Sequence, residues 1–360
     1  MTAADPALDA LMLPFASGQL AWPPAGGALF LHAREGWPLH RQPLPGLVCE
    51  QDFKPAAEAL QRAGLPVHRH DAGTRHPLVL LLPPRQREQA RALFAHALDR
   101  LAPDGTIVAS MPNREGAKSG EADLARLAGP LQVLSKHHCR VFWTAPLQGP
   151  VDAALADAWR ILDAPRAIAE PRVPGGSFLS RPGVFAWDRI DAASALLAEH
   201  LPGDLRGEVA DLGAGWGYLG LQLLARCPGV AALDLYEADA RALELARGNL
   251  QATAARVPLA FHWHDVAAGL PRRYDAIVSN PPFHAQGRDE RPELGRAFIA
   301  AAAAALQPGG RLYLVANRHL PYESVLDASF GSARIVAQRD GFKVVEAVKS
   351  APTRTGRTPR

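Results

Sequence analysis

Residues 207–220, GEVADLGAGWGYLG, leave few folds open. An apolar strand runs into a turn carrying Gly213, Gly215, Gly217 and Gly220, and the helical stretch GYLGLQLLARC follows. Glycines after a strand let the backbone turn tightly and approach a ligand, while the helix start presents free N–H groups. The alternation continues downstream. AALDLYE reads as a strand and DARALELARGNLQATAA as a helix; then come PLAFHWHD, YDAIVSNPP, a helix through Phe298 to Leu306 and the strand RLYLVAN. Apolar strands alternating with helices specify a parallel sheet covered on both faces, an α/β fold.

A length of 360 residues suggests two domains. The break falls between Pro165 and Pro182, where four prolines and a Gly-Gly pair favour extended and turn conformations. Residues 166–182 are therefore expected to be a linker. The first half carries a fainter copy of the second: HPLVLLLPP (76–84) takes the place of YDAIVSNPP, the helix QREQARALFAHALDRL follows, and LAPDGTIVASMPN (101–113) lines up with LQPGGRLYLVAN (306–317). Nothing in residues 1–75 matches a glycine-rich turn after a strand. Shared turn chemistry can produce such likeness by chance; duplication followed by decay of the first copy's site is the favoured account.

The composition, 48% hydrophobic and 21% charged, supports an ordinary globular core. The net charge of +3 is uneven: residues 339–360 carry +4 and everything before them sums to −1. Cys49, Cys139 and Cys227 are scattered without CxxC spacing, which argues against a disulfide framework or a zinc site and fits a reducing compartment. KHHCR (136–140) has no second ligand cluster nearby and reads as a strand terminus. Asp5 and Asp9 without a basic n-region argue against a signal peptide, and the longest apolar run (297–306) is too short to span a bilayer. The expectation is a cytoplasmic, monomeric protein with no membrane partner.

Two ligands compete for the glycine turn. Gly215, Gly217 and Gly220 satisfy the dinucleotide fingerprint, with Glu237 ending the next strand as a ribose-binding acid. The alternative is S-adenosylmethionine. Asp211 at the strand end would repel a pyrophosphate but suits an ammonium and a sulfonium. Glu237 can accept ribose hydroxyls in either case, and Asp265, ending FHWHD, is placed to meet an adenine amino group.

Ser279-Asn280-Pro281-Pro282-Phe283-His284 after the strand YDAIV sharpens the choice. An exocyclic amine on a base is a poor nucleophile, because its lone pair is delocalised into the ring. The Asn280 side-chain oxygen and the Pro281 carbonyl can hold its two N–H groups so that the lone pair faces the methyl group. The prolines fix the backbone, and Phe283 offers a stacking face. Positioning supplies most of the acceleration, and the base must be unpaired or flipped to enter.

DLGAGWGYLG, NPPFH, LQPGGRLYLVANRHLPYE and GFKVVEAVK together resemble the ribosomal RNA guanine-N2 methyltransferases, particularly the small-subunit type. The resemblance is strong over 183–349 and weaker towards the N-terminus. It implies two Rossmann-like methyltransferase domains in tandem, with a degenerate N-terminal one (1–165), a catalytic one (183–349) and a basic tail (350–360). It implies that Asp211, Gly213, Gly215, Gly217, Glu237 and Asp265 bind S-adenosylmethionine, with Phe185 and Asp191 closing the methionine end. Asn280, Pro281, Pro282 and Phe283 would hold the guanine, and His284 would stabilise its loop. The implied partner is ribosomal RNA or the small ribosomal subunit.

Arg272, Arg273, Arg288, Arg291 and Arg296 flank the expected pocket, and the tail could add salt-dependent phosphate contacts. Other readings remain: methylation of large-subunit RNA, DNA adenine or protein glutamine, or a catalytically silent RNA-binding assembly factor. A nicotinamide oxidoreductase is disfavoured because it would leave NPPF without a task.

Overall fold

The computed structural model describes residues 5–24, 27–68, 73–150, 152–282 and 292–351. The chain divides into two compact units, one of Met1–Pro165 with Arg181–Gly183, the other of Arg166–Ser180 with Val184–Arg360. The first unit contains β1 (Ala28–Leu31), β2 (Leu47–Glu50), β3 (Val67–His68), β4 (His76–Leu81), β5 (Leu101–Pro112), β6 (Leu131–Lys136) and β7 (Cys139–Thr144). A hairpin of β8 (Arg166–Ala169) and β9 (Ser177–Ser180) opens the second. Then come β10 (Arg206–Leu212), β11 (Gly229–Glu237), β12 (Leu259–Trp263), β13 (Tyr274–Ser279), β14 (Leu306–Asn317), β15 (Ser332–Arg339) and β16 (Phe342–Val348).

The two large sheets have one topology, β3-β2-β1-β4-β5-β7-β6 and β12-β11-β10-β13-β14-β16-β15. In each, the first five strands pair in parallel and the last two join through antiparallel pairings, so that only β7 and β16 run against the rest. These are two Rossmann-like α/β units in tandem. The strands matched from sequence, YDAIVS with HPLVLL and LQPGGRLYLVAN with LAPDGTIVASMP, occupy the same positions in their sheets.

Strand pairing aligns the copies residue by residue. Leu31 faces Leu81 across β1 and β4, as Leu212 faces Ser279 across β10 and β13. Phe30 therefore stands where the second unit has Asp211, His32 where it has Gly213, and Leu82 where it has Asn280. His32 holds a positive φ of 53°, close to the 73° of Gly213, so the turn outlived its glycine. Leu31 also faces Glu50 as Leu212 faces Tyr236, which sets Gln51 in the place of Glu237. Gln51 Oε1 accepts the N–H of Phe53 two residues on, as Glu237 Oε1 accepts that of Asp239. The first unit keeps the scaffold and has lost the acids.

Residues 166–182 are not a plain linker. Arg166–Ala169 pairs antiparallel with Ser177–Ser180, the chain reversing where Gly175 and Gly176 take positive φ. Phe178 stacks on Trp216 of the glycine turn, ring centroids 4.0 Å apart. Asn249 acts as a strand partner for the hairpin: its Oδ1 accepts the Leu179 N–H at 2.6 Å, and its Nδ2 donates to Leu179 O at 3.0 Å and Trp216 O at 2.8 Å. One side chain thus ties the hairpin to the turn. Asn249→Ala removes three hydrogen bonds and strands two carbonyls and an amide; a loss of about 2–3 kcal/mol is expected in urea denaturation.

KHHCR lies across the β6–β7 hairpin, with His137 and His138 at positive φ in the turn. All three cysteines are free and buried, and no metal-binding cluster occurs among the described residues. No helix among them is long and apolar enough to cross a membrane.

Candidate active site

Strand order reverses between β10 and β13, so their outgoing loops part and leave a crevice at the carboxyl ends of the strands. The glycine turn leaves β10 on one side of it, and Asn280-Pro281-Pro282 leaves β13 on the other. A cleft of about 420 Å³ opens there. Of the residues expected from sequence, Phe185, Asp191, Gly213, Gly215 and Asn280 line it. Ser194, Trp216 and Tyr218 line it too and escaped the sequence reading. Ser194 had one visible signal, its place three residues after the helix-capping Asp191.

Asp211 lies behind the cleft wall, 0% exposed. Side chains alternate along β10, so Asp211 shares the face of Val209, which is covered by the helices Ala192–Glu199 and Tyr218–Arg226. Neither carboxylate oxygen has a hydrogen-bond partner. Desolvation pushes its pKa up to about 7; the Gly220 N–H, outside hydrogen-bonding geometry, offsets part of that rise, and the charge of Glu237 adds a smaller one. Half-buried Glu237 is also pushed up to about 7, desolvation being the largest cause. Its Oε2 accepts the Gly215 N–H at 2.8 Å.

Those bonds decide what the glycine turn can hold. Gly213 and Ala214 donate to Tyr236 O, Gly215 to Glu237 and Gly217 to Ala214 O. A pyrophosphate needs such amides pointing outward. Here four are spent inside the protein, so the turn offers no such cradle to an anion. Gly215 needs its φ of 55°, and a side chain there would meet no atom within 4 Å. Gly217, at φ 92°, has a further constraint: a Cβ would collide with Leu250.

Asn280 is the other pole. Its Nδ2 donates to Asp191 Oδ2 at 3.0 Å and Ser194 Oγ at 2.8 Å, while Oδ1 is buried with no hydrogen-bond partner among the described residues. Pro281 is buried and Pro282 half-buried. Phe283, with His284, Arg288 and Arg291, lies outside the described residues, as do the tail residues 352–360. Phe185 stands 67% exposed at the cleft wall. Asp265 ends the β12 segment, half-buried, and caps a short 3₁₀ turn by accepting the Ala267 N–H.

Two arginines expected beside the pocket are used elsewhere. Arg272 pairs with buried Asp234 at 2.9 Å and with Glu208 at 3.0 Å, and Arg273 donates to the carbonyls of Ala304 and Leu306.

Residues 175–346 match the family model of the methyltransferase small domain. The ribosomal RNA small subunit methyltransferase C of Pseudomonas aeruginosa (strain LESB58) is 34% identical over 271 residues, 75% of this chain and 79% of that protein. The chain belongs to this methyltransferase family. The Escherichia coli (strain K12 / DH10B) relative of the same name is 31% identical over 273 residues, 76% of each chain. Among solved structures, the T. thermophilus 16S rRNA N2 G1207 methyltransferase, in complex with AdoMet and guanosine, superposes with a TM-score of 0.78. It is 27% identical, and the match covers 96% of this chain and 92% of that one, so the likeness extends over both units.

The buried acid gives a pH signature. The folded pKa of Asp211, about 7, lies above its ordinary 3.8, so stability from the protonated form is complete below about pH 4 and is lost as pH rises through 7. Asp211→Asn should therefore melt above the parent protein at pH 8, the gap closing towards pH 5 by at most about 1.4 kcal/mol per pH unit. A gap independent of pH in scanning calorimetry would count against a buried, unpaired carboxylate.

Proposed function

We propose that this protein transfers the methyl group of S-adenosylmethionine to the exocyclic N2 amine of a guanine in 16S ribosomal RNA. The observation that carries the reading is Asn280 Oδ1, a buried acceptor at the crevice without a partner among the described residues, opposite the glycine turn. A guanine N2 amine supplies the donor that Oδ1 lacks.

The residues present fit the cofactor. Unpartnered Asp211 gives the electrostatic floor for an ammonium and a sulfonium, the glycine turn with Gly213, Gly215 and Gly217 shapes the wall, and Glu237 has lone pairs to accept ribose hydroxyls. Asp265 is assigned to the adenine edge and Phe185 to the cleft mouth. When bound, S-adenosylmethionine supplies an electrophilic methyl group on a positively charged sulfur.

The chain's own task is orientation. Asn280 Oδ1 accepts one amine N–H and the Pro281 carbonyl the other, which turns the nitrogen lone pair out of the ring plane and towards the methyl donor. Pro281 and Pro282 hold that backbone still, and Phe283 is assigned to stack the base. No strong base is needed, because the amine becomes acidic as it gains the methyl group and releases its proton to water. Aligning two reactants in this way is worth several powers of ten in rate. Ribosomal RNA, presented with the target guanine unstacked, is the partner.

Asn280→Ala should lower methyl transfer to 16S RNA by at least about a hundredfold while leaving cofactor affinity within about threefold, since one positioning contact is lost and the cofactor floor is intact. Transfer of labelled methyl groups into small subunits from a strain lacking the gene, with the modified base mapped, reads the first. Calorimetric titration with S-adenosylmethionine reads the second. Unchanged turnover in this variant, or label in 23S RNA or protein alone, would overturn the assignment.

A further inference from the structure

An asparagine amide can be placed two ways round, and here its neighbours decide. A carboxylate only accepts, so Asp191 Oδ2, 3.0 Å away, fixes the NH₂ of Asn280 on its own side. Ser194 Oγ takes the second proton at 2.8 Å. Oδ1 is thereby turned away from both, buried and without a partner among the described residues. Both acceptors belong to one helix start. Asp191 caps the helix Ala192–Glu199, and the same Oδ2 that receives Asn280 also receives the Ser194 N–H at 2.9 Å.

The first unit serves as an internal control. Its helix Pro6–Leu11 is likewise capped by an aspartate, Asp5, which accepts the N–H groups of Ala7 and Leu8 at 3.1 Å. That helix packs on β5 and β7, as Ala192–Glu199 packs on β14 and β16. Counted from the capping aspartates Leu8 corresponds to Ser194, and strand pairing sets Leu82 in the place of Asn280; the two leucines share one apolar cluster. The capping aspartate stands in both units, Asp5 pairing as well with Arg34 at 3.1 Å, but the serine stands only in the second. The serine is present where the asparagine is present.

We infer that Asp191 and Ser194 are positioning residues for methyl transfer, a two-point clamp that holds the Asn280 amide with Oδ1 towards the substrate amine. The inference rests on the proposed role of Asn280 as acceptor for that amine. It gives Asp191 a task on the substrate side, in place of closing the methionine end of the cofactor.

The test uses the full-length protein, small subunits lacking the modification, single-turnover methyl transfer and calorimetric titration with S-adenosylmethionine. Ser194→Ala leaves the capped N–H in place, so its melting temperature should match the parent. Its transfer rate should fall about tenfold with cofactor Kd within about twofold, because a freed amide misorients the acceptor. Asp191→Ala should be slower still. Asp191→Asn should recover most of that loss, because one amide oxygen can take both hydrogen bonds now taken by one carboxylate oxygen. The variant lacking both clamp residues should be no slower than Asn280→Ala.

Loss appearing in cofactor Kd instead of rate overturns the clamp, as does an Asp191→Asn enzyme as impaired as Asp191→Ala, since either would show that the charge acts on the cofactor. A parent protein that methylates no ribosomal RNA overturns the function itself, and the clamp with it.

Discussion

A carboxylate sealed into a sheet with no partner is expensive, and Asp211 is one. Removing an ionised carboxylate from water costs several kcal/mol unless a counter-charge or hydrogen bonds make up the difference. The protein relieves part of that cost by protonation near neutrality, at the expense of having no fixed charge there when empty. A cationic ligand offers the other remedy. The same field accounts for the inward-turned amides of the glycine turn, since Glu237 satisfies Gly215 and leaves no cradle for phosphate. The floor therefore decides between two ligand classes that share a glycine signature.

The two units show which parts of such a site belong to the fold and which to the chemistry. Sheet order, the positive-φ turn and the capped helix persist in both. Asp211, Gly213, Glu237, Ser194 and Asn280 are replaced together by Phe30, His32, Gln51, Leu8 and Leu82. Leu8 reaches within 2.7 Å of where a Cβ on Gly36 would sit, so an apolar side chain packs against the vestigial turn. Buried polar groups without a ligand only destabilise, and their replacement by apolar ones is the expected course once binding is lost.

Much of this was legible in the sequence because it rests on local chemistry. Strand, glycine turn and helix leave periodic and compositional marks, and so do NPP after a strand and the paired fifth strands. What escaped depended on contacts distant in the chain. The hairpin at 166–180 looked like a linker, because its prolines and glycines mark a turn while its anchor, Asn249, lies 70 residues away. That Asp211 would be fully buried behind the cleft wall was not legible either, because its cover comes from helices elsewhere in the chain. Arg272 could be placed near the pocket from sequence, but its pairing with Asp234 spans 38 residues and left no local mark. Ser194 carried no functional mark of its own, because a serine three residues after a helix cap is ordinary.

Rigidity links these features. A reaction driven by alignment gains only if its parts are in place before the substrate arrives. The glycine turn is held by Tyr236 O from below and by Glu237 from the side, while Asn249 and the Phe178–Trp216 stack hold it from the hairpin. Across the crevice, Asn280 is held by a helix start, and Ser279 Oγ beside it donates to Leu212 O of the neighbouring strand at 2.8 Å. Regular elements or side-chain bonds fix both walls. Two groups without a hydrogen-bond partner among the described residues, the Asp211 oxygens and Asn280 Oδ1, suit a cation and an amine respectively. They match the two reactants that a methyl transfer to a base must bring together.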